Sequence, residues 1–202
     1  MLSFYYSPFS VFARRVHIAL LEKEIAHQKV VVDLPAREQK QPAYLALNPY
    51  GRVPAIDDDG FRLYESATIL TYLEQTRTAR PLAPQDIQGK ALVDMHIRLC
   101  DLQFAPHARA ILFPKRFMPP ERWDQQAFAQ ARVEIDAHLA IVANDLKGND
   151  YLVGNRFSLA DIAYLPFLYF LPLMEVAVPP TIAAWSARLV SRPSALATIP
   201  PK

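Results

Sequence analysis

The hydrophobic pattern of this chain switches between strand and helix periods over residues 1–76 and then keeps the helix period to the end, which restricts the folds open to it. Leu2–Tyr6 is short, aromatic and apolar, as a buried strand is. From Ser10 the residues Val11, Ala13, Val16, Ala19 and Leu20 recur at helical spacing through Lys23. Residues 28–32 end in a β-branched run bounded by Asp33-Leu34-Pro35 and predict a second strand. Residues 42–47 predict a short helix, stopped before Asn48-Pro49 because the residue ahead of a proline avoids the helical region. Residues 52–56 and 61–63 read as a hairpin turned through Asp57-Asp58-Asp59-Gly60. Residues 65–74 are helical, carried by Ile69, Leu70, Tyr72 and Leu73. The order is therefore β-α-β-α-β-β-α. Its strand–helix–strand opening requires a right-handed crossover and a parallel pair, and the hairpin adds an antiparallel edge.

That order is the thioredoxin-like arrangement, here expected over residues 1–76. Residues 77–86 are polar, contain Pro81 and Pro84, and read as a linker. Residues 87–202 are expected to form an all-helical domain, so the fold class is α/β followed by all-α. Its long helices span 87–112 and 122–146, with breaks at Pro114 and at Met118-Pro119-Pro120, the second ending near Gly148. Ser158 and Asp161 form an aspartate version of a capping box ahead of another helix. A last helix over 181–190 is ended by Arg192-Pro193.

Composition narrows the function. A net charge of +2 without runs of one sign argues against a nucleic-acid surface. The single cysteine, Cys100, rules out an internal disulfide and fits a reducing compartment. The five histidines show no metal-ligand spacing, so no metal is expected. The N-terminus lacks the pattern of a signal peptide, and the apolar run 162–178 is short for a membrane span and carries Glu175. A cytoplasmic protein is expected.

The chemistry concentrates in Asn48-Pro49-Tyr50-Gly51-Arg52-Val53-Pro54 and in Glu65-Ser66. A Val-Pro step opening a strand offers its backbone to a ligand, and proline takes the cis form at modest cost. Eleven residues after Pro54, Glu65 and Ser66 bring a carboxylate, a hydroxyl and backbone N–H groups to a helix N-terminus. Such a corner suits the charged end of a small peptide-like ligand. Ser10 stands where the first strand gives way to the first helix, an N-cap position that also favours a neighbouring anion.

Five stretches together resemble a known family over essentially the whole chain: Tyr5-Tyr6-Ser7-Pro8-Phe9-Ser10 with Arg14-Arg15-Val16, Lys40-Gln41-Pro42-Ala43-Tyr44-Leu45, Asn48 to Pro54, Glu65 to Leu73, and Ser158-Leu159-Ala160-Asp161-Ile162-Ala163. In this order the chain resembles a cytosolic glutathione transferase, nearest the serine-type enzymes of plants, insects and bacteria, and is read as a bacterial member. The resemblance implies conjugation of glutathione, as co-substrate and without further cofactor, to a hydrophobic electrophile. It implies that the Ser10 hydroxyl donates to the glutathione sulfur, with Ser7, Tyr5 and Tyr6 as alternatives on the same loop. Val53, ahead of a cis Pro54, would pair with the cysteinyl backbone. Glu65 and Ser66 would hold the γ-glutamyl end, and Lys40 and Arg52 the glycyl carboxylate. Gln39 stands where plant relatives often carry histidine. Phe9, Phe12, His107 and Ile111, with Phe113 and Phe117, are candidates for the electrophile pocket. Arg14 and Arg15 are expected to pair with acidic groups across the domain junction, and Asp161 to serve folding. Tyr50 would anchor a two-fold homodimer. Two other readings remain. One is a glutathione-dependent isomerase or peroxidase, which the absence of cysteine at the helix start disfavours. The other is a non-catalytic binding protein of the same fold.

Overall fold

A computed structural model of the 202-residue chain describes residues 1–201. The chain forms two compact units. The first contains residues 1–82 and, unexpectedly, the chain from Pro193 onward; the second is 83–192. The C-terminal segment therefore leaves the helical domain in which the sequence pattern had placed it.

In the first unit, β1 (Leu2–Tyr6), β2 (His27–Val31), β3 (Ala55–Asp58) and β4 (Phe61–Tyr64) form one sheet in the order β2-β1-β3-β4. β1 and β2 are parallel, while β1–β3 and β3–β4 are antiparallel. Side chains alternate across the sheet. Leu2 and Phe4 face α1 (Val11–Glu22) and α3 (Ser66–Thr76), closing a core with Ala13, Val16, Leu20, Ile56, Ile69 and Leu73. On the other face Val32, Tyr44, Leu47 and Ala55 pack together, with Tyr5, Val53 and Tyr64 against them. Tyr44 belongs to α2 (Pro42–Leu45). Each large side chain buried in these cores contributes about 1.5–3 kcal/mol.

The second unit contains α4 (Ile87–Leu99), α5 (Ala105–Phe117), α6 (Gln125–Asp145), α7 (Leu159–Leu168), α8 (Leu171–Met174) and α9 (Pro180–Val190). The helix expected over 87–112 is divided by a π-helical turn, Cys100–Phe104. Pro106 explains the division: it has no N–H to continue the ladder, and Ala105 N instead donates to Cys100 O, five residues back. Pro114 does not end the next helix, which runs through it to Phe117. Packing of α5 against α6 outweighs the cost of one lost bond in the helix. α6 stops at Asp145 with Leu146 as its C-cap, and Gly148 lies in the following turn at φ +82°. The Ser158–Asp161 capping box is present. Asp161 is fully buried and also accepts from Leu152 N at 3.1 Å and Trp185 Nε1 at 2.9 Å. α10 (Pro193–Leu196) follows within the first unit.

Candidate glutathione site

One end of the sheet gathers the predicted residues. Tyr5 pairs with Ala55, and Ala55 with Tyr64. The chain beyond each of these positions therefore emerges at the same edge. β1 leads through Ser7 to the N-terminus of α1, β4 leads through Glu65 to the N-terminus of α3, and Val53-Pro54 enters β3 between them. Two helix N-termini thus point their N–H groups and positive dipole ends toward one place.

Ser10 caps α1. It is half-buried, and its Oγ accepts from Ala13 N at 3.1 Å. A hydroxyl has one donor and two acceptor positions, so a bond received from Ala13 leaves the O–H hydrogen for a ligand. Of the alternatives, Ser7 is more enclosed, while Tyr5 and Tyr6 are half-buried like Ser10 and held in ring contacts. Ser7 is 2% exposed and its carbonyl accepts from Ser10 N at 3.1 Å. Tyr6 stacks on Phe4 with ring centres 5.0 Å apart, and Tyr5 meets Tyr44 edge-on at 6.3 Å on the opposite face.

At α3 no side chain caps the first turn. Its N–H groups are left for an anion. Ser66 is buried, and its Oγ accepts from Arg15 Nη1 at 3.4 Å. Glu65, the N-cap, is exposed and has φ +71°, a conformation costly for a residue with a Cβ, at about 1–3 kcal/mol. Its carboxylate makes no hydrogen bond or ion pair among the described residues.

The loop before β3 is braced by Asn48 and Tyr44, to which sequence reasoning assigned no individual role. Asn48 is 1% exposed; its Oδ1 accepts from Tyr50 N at 3.0 Å and its Nδ2 donates to Arg52 O at 2.8 Å. Tyr44 OH donates to the same Arg52 carbonyl at 2.8 Å. Burial pushes the Tyr44 phenol up, with Tyr5 and Glu38 adding to it, so it remains a donor. Asparagine ahead of proline is a turn signal that pointed to this loop, though not to Asn48 as its buried brace. The Val53–Pro54 bond is cis, and Val53 N–H and C=O make no backbone hydrogen bond among the described residues.

Lys40 Nζ donates to Tyr50 O at 3.0 Å, and a Cβ at Gly51 (φ +57°) would come within 2.8 Å of that nitrogen. Only glycine fits there. Arg52 is exposed, and beside Lys40 the buried Oε1 of Gln39 has no hydrogen-bond partner. Tyr50 is 63% exposed, its ring 5.9 Å from that of Tyr64.

The electrophile candidates divide. Phe9 and Phe12 are half-buried beside Ser10, with the Arg15 guanidinium 4.9 Å over the Phe12 ring. His107 is half-buried on α5. Ile111 is fully buried, a core residue of the helical unit, so it offers no surface to a substrate. Helical spacing alone could not separate core from lining. Phe113 and Phe117 are the exposed aromatics of α5. Within the first unit Arg14 donates to Thr198 Oγ1 and Ala195 O, and Arg15 to Ser66 Oγ. Cys100 is fully buried in the helical unit, its Sγ donating to Ala163 O at 3.4 Å. Among the described residues no cluster of three or more His, Cys, Asp or Glu is placed to hold a metal ion, and no helix is long and apolar enough to cross a membrane.

A thioredoxin-like sheet with the Val53 backbone open between two helix N-termini, followed in the chain by an all-helical unit, is the two-part architecture that the comparisons with known proteins match. Residues 9–76 match the family model of the glutathione S-transferase N-terminal domain, and residues 104–193 that of the C-terminal domain. Glutathione S-transferase APIC of Nicotiana tabacum is 30% identical over 196 residues, covering 93% of this chain and 92% of its own. Glutathione transferase F2 of Populus trichocarpa superposes with a TM-score of 0.90 at 27% identity, over 98% of this chain and 97% of that one. A glutathione transferase of Burkholderia graminis, solved with two glutathione molecules per subunit, gives a TM-score of 0.87 at 25% identity, over 98% and 87%. The chain belongs to the glutathione S-transferase family.

Proposed function

We propose that the protein is a serine-type glutathione transferase that stabilises the thiolate of glutathione and joins it to a hydrophobic electrophile. The observation that carries this reading is the convergence of Ser10, Val53 and Glu65-Ser66 at one end of the sheet. Glutathione presents complementary groups in matching order. Its γ-glutamyl carboxylate suits the uncapped first turn of α3 and Ser66, and its ammonium suits the Glu65 carboxylate. The cysteinyl amide suits the unpaired backbone of Val53, in the manner of an added strand. The glycyl carboxylate suits Lys40 and Arg52.

The chemical step needs the sulfur anion. A thiol of pKa near 8.5 is only a few per cent ionised at neutral pH. An O–H donated by Ser10 and the dipole of α1 both favour the charged form, so the proton leaves to solvent at lower pH. The serine remains intact. The thiolate then forms a C–S bond with the electrophilic carbon, and the leaving group departs with its electron pair. Phe9, Phe12 and His107 remain candidates for apolar contact with the electrophile. The same reading makes the protein a cytoplasmic homodimer acting in detoxification, and glutathione is a substrate that needs no further cofactor.

Titration calorimetry with glutathione, together with a rate assay on 1-chloro-2,4-dinitrobenzene, tests this directly. Heat of binding and turnover above the uncatalysed rate are expected. Binding without turnover on any aryl halide or Michaelis acceptor would assign the fold to a non-catalytic role, and no binding at millimolar glutathione would remove the reading altogether.

A further inference from the structure

The C-terminal segment lies along α1. Ser194 Oγ donates to Glu22 Oε1 at the last turn of the helix. At its first turns, Arg14 Nε donates to Thr198 Oγ1 at 3.2 Å and Arg14 Nη2 to Ala195 O at 3.0 Å. The segment therefore runs antiparallel to α1 and grips it near both ends. It is itself rigid. Thr198 Oγ1 is within 2.9 Å of Ser194 O and 3.1 Å of Ala195 O, and Ala197 N donates to Pro193 O at 2.9 Å. Arg14 is 5% exposed, Ser194 7%, Thr198 8% and Ala195 fully buried, so these bonds are sheltered from water. A buried guanidinium deprived of acceptors is costly, which keeps the grip closed.

The gripped residue is also the one that closes the first turn on Ser10: Arg14 N donates to Ser10 O at 3.0 Å. We propose that residues 193–199 are a strap that fixes the first turn of α1, and that Arg14 is thereby a positioning residue for the Ser10 hydroxyl. This rests on the reading in which Ser10 stabilises the thiolate. The strap orients the hydroxyl; Val53, Glu65 and Ser66, which hold the rest of glutathione, belong to other elements. Loosening the strap thus separates thiolate formation from binding.

Thr198→Val keeps the shape and removes the acceptor for Arg14 Nε. The readouts are the apparent pKa of bound glutathione, followed by ultraviolet absorbance of the thiolate against pH, and kcat with KM for glutathione. Thr198→Val and Arg14→Gln are expected to raise that pKa by about half a unit or more. They should lower kcat by about threefold to tenfold, a small misplacement of a reacting group being this costly. KM should stay within about twofold of the parent, because the binding groups are untouched. Thr198→Ser and Arg14→Lys, which retain an acceptor or a donor, should restore most of the loss. If Arg14→Gln does not fold, the Thr198 pair carries the test. A parental pKa and kcat in Thr198→Val, with only the melting temperature lowered, would overturn the strap as a positioning device while a shifted pKa in Ser10→Ala leaves the parent reading standing. An unshifted pKa in Ser10→Ala would overturn both.

Discussion

At the scale of single residues, Ser10 serves two purposes that substitution can separate. Ser10→Ala removes both the N-cap and the hydrogen bond to sulfur. It is expected to cost about 1 kcal/mol of stability and, since a hydrogen bond to a charged group is worth about 1.5–3 kcal/mol, roughly tenfold to a hundredfold in kcat. Ser10→Asp keeps an acceptor for Ala13 N and so keeps the cap, yet sets a negative charge beside the thiolate. Unfolding curves close to the parent with activity near background would identify the hydroxyl donor as the functional half; retained activity would remove Ser10 from the mechanism. Asn48 is the second informative position. Its amide braces Tyr50 N and Arg52 O on either side of Gly51. Asn48→Ala leaves Tyr50 N without its acceptor and Arg52 O with Tyr44 OH as its remaining donor, and is expected to destabilise by about 1–3 kcal/mol. It should also raise KM for glutathione more than it lowers kcat, because Val53 loses its support. Steady-state kinetics at varied glutathione decide the point.

At the scale of elements, the helical unit carries a buried pair that sets its response to acid. His138 on α6 meets Tyr164 OH of α7 at 3.0 Å, and Phe104 packs over both. Burial holds the His138 pKa down to about 4, with His96 and His107 adding repulsion and Asp145 opposing it. Burial also lowers His96. In the first unit His17, packed on Phe4 and Tyr6, is likewise lowered to about 4 by burial, then by Lys29 and His27. Each of these side chains takes up a proton more readily when unfolded, where its pKa is about 6.5. The contribution of His17 and His138 is complete above that pH and declines as pH falls toward 4, and His96 acts in the same direction. The slope approaches about 1.4 kcal/mol per pH unit for each such proton. Denaturant unfolding at pH 7 and pH 5 should therefore show lower stability at pH 5, and His138→Gln should flatten the difference. Equal stability at the two values would contradict the buried, neutral state of these rings.

At the scale of the whole molecule, Tyr50 carries the expectation of a homodimer. It is a large aromatic held outward, 63% exposed, on a loop fixed by Asn48, Tyr44 and Lys40. A rigid exposed aromatic is the kind of residue that dominates an interface. Analytical ultracentrifugation should show Tyr50→Ala dissociating at concentrations where the parent is paired; an unchanged dimer affinity would take the anchor role from Tyr50. The whole-chain arrangement also shows where periodicity loses its reach. It located β1 to the residue and the helix starts at Ser10 and Ser158, because these depend on neighbours within a few positions; it found the hairpin but put the turn at 57–60, whereas Asp57 and Asp58 are paired in β3. It expected α4 and α5 as one helix and a break at Pro114, whereas Pro106 reset the ladder and packing carried the helix through Pro114. Likewise Ile111 had the spacing of a pocket residue and proved to be core.

By itself the sequence determined the element order, the caps, the Val53-Pro54 step and the carboxylate–hydroxyl pair at Glu65-Ser66, since each is written in adjacent residues and local backbone preference. Tertiary structure alone decided that Ser7 is buried while Ser10 stays half-exposed, that Asn48 braces the loop ahead of β3, and that the last residues return to α1. Those outcomes depend on contacts between segments as far apart as Arg14 and Thr198, whose pairing no local pattern encodes.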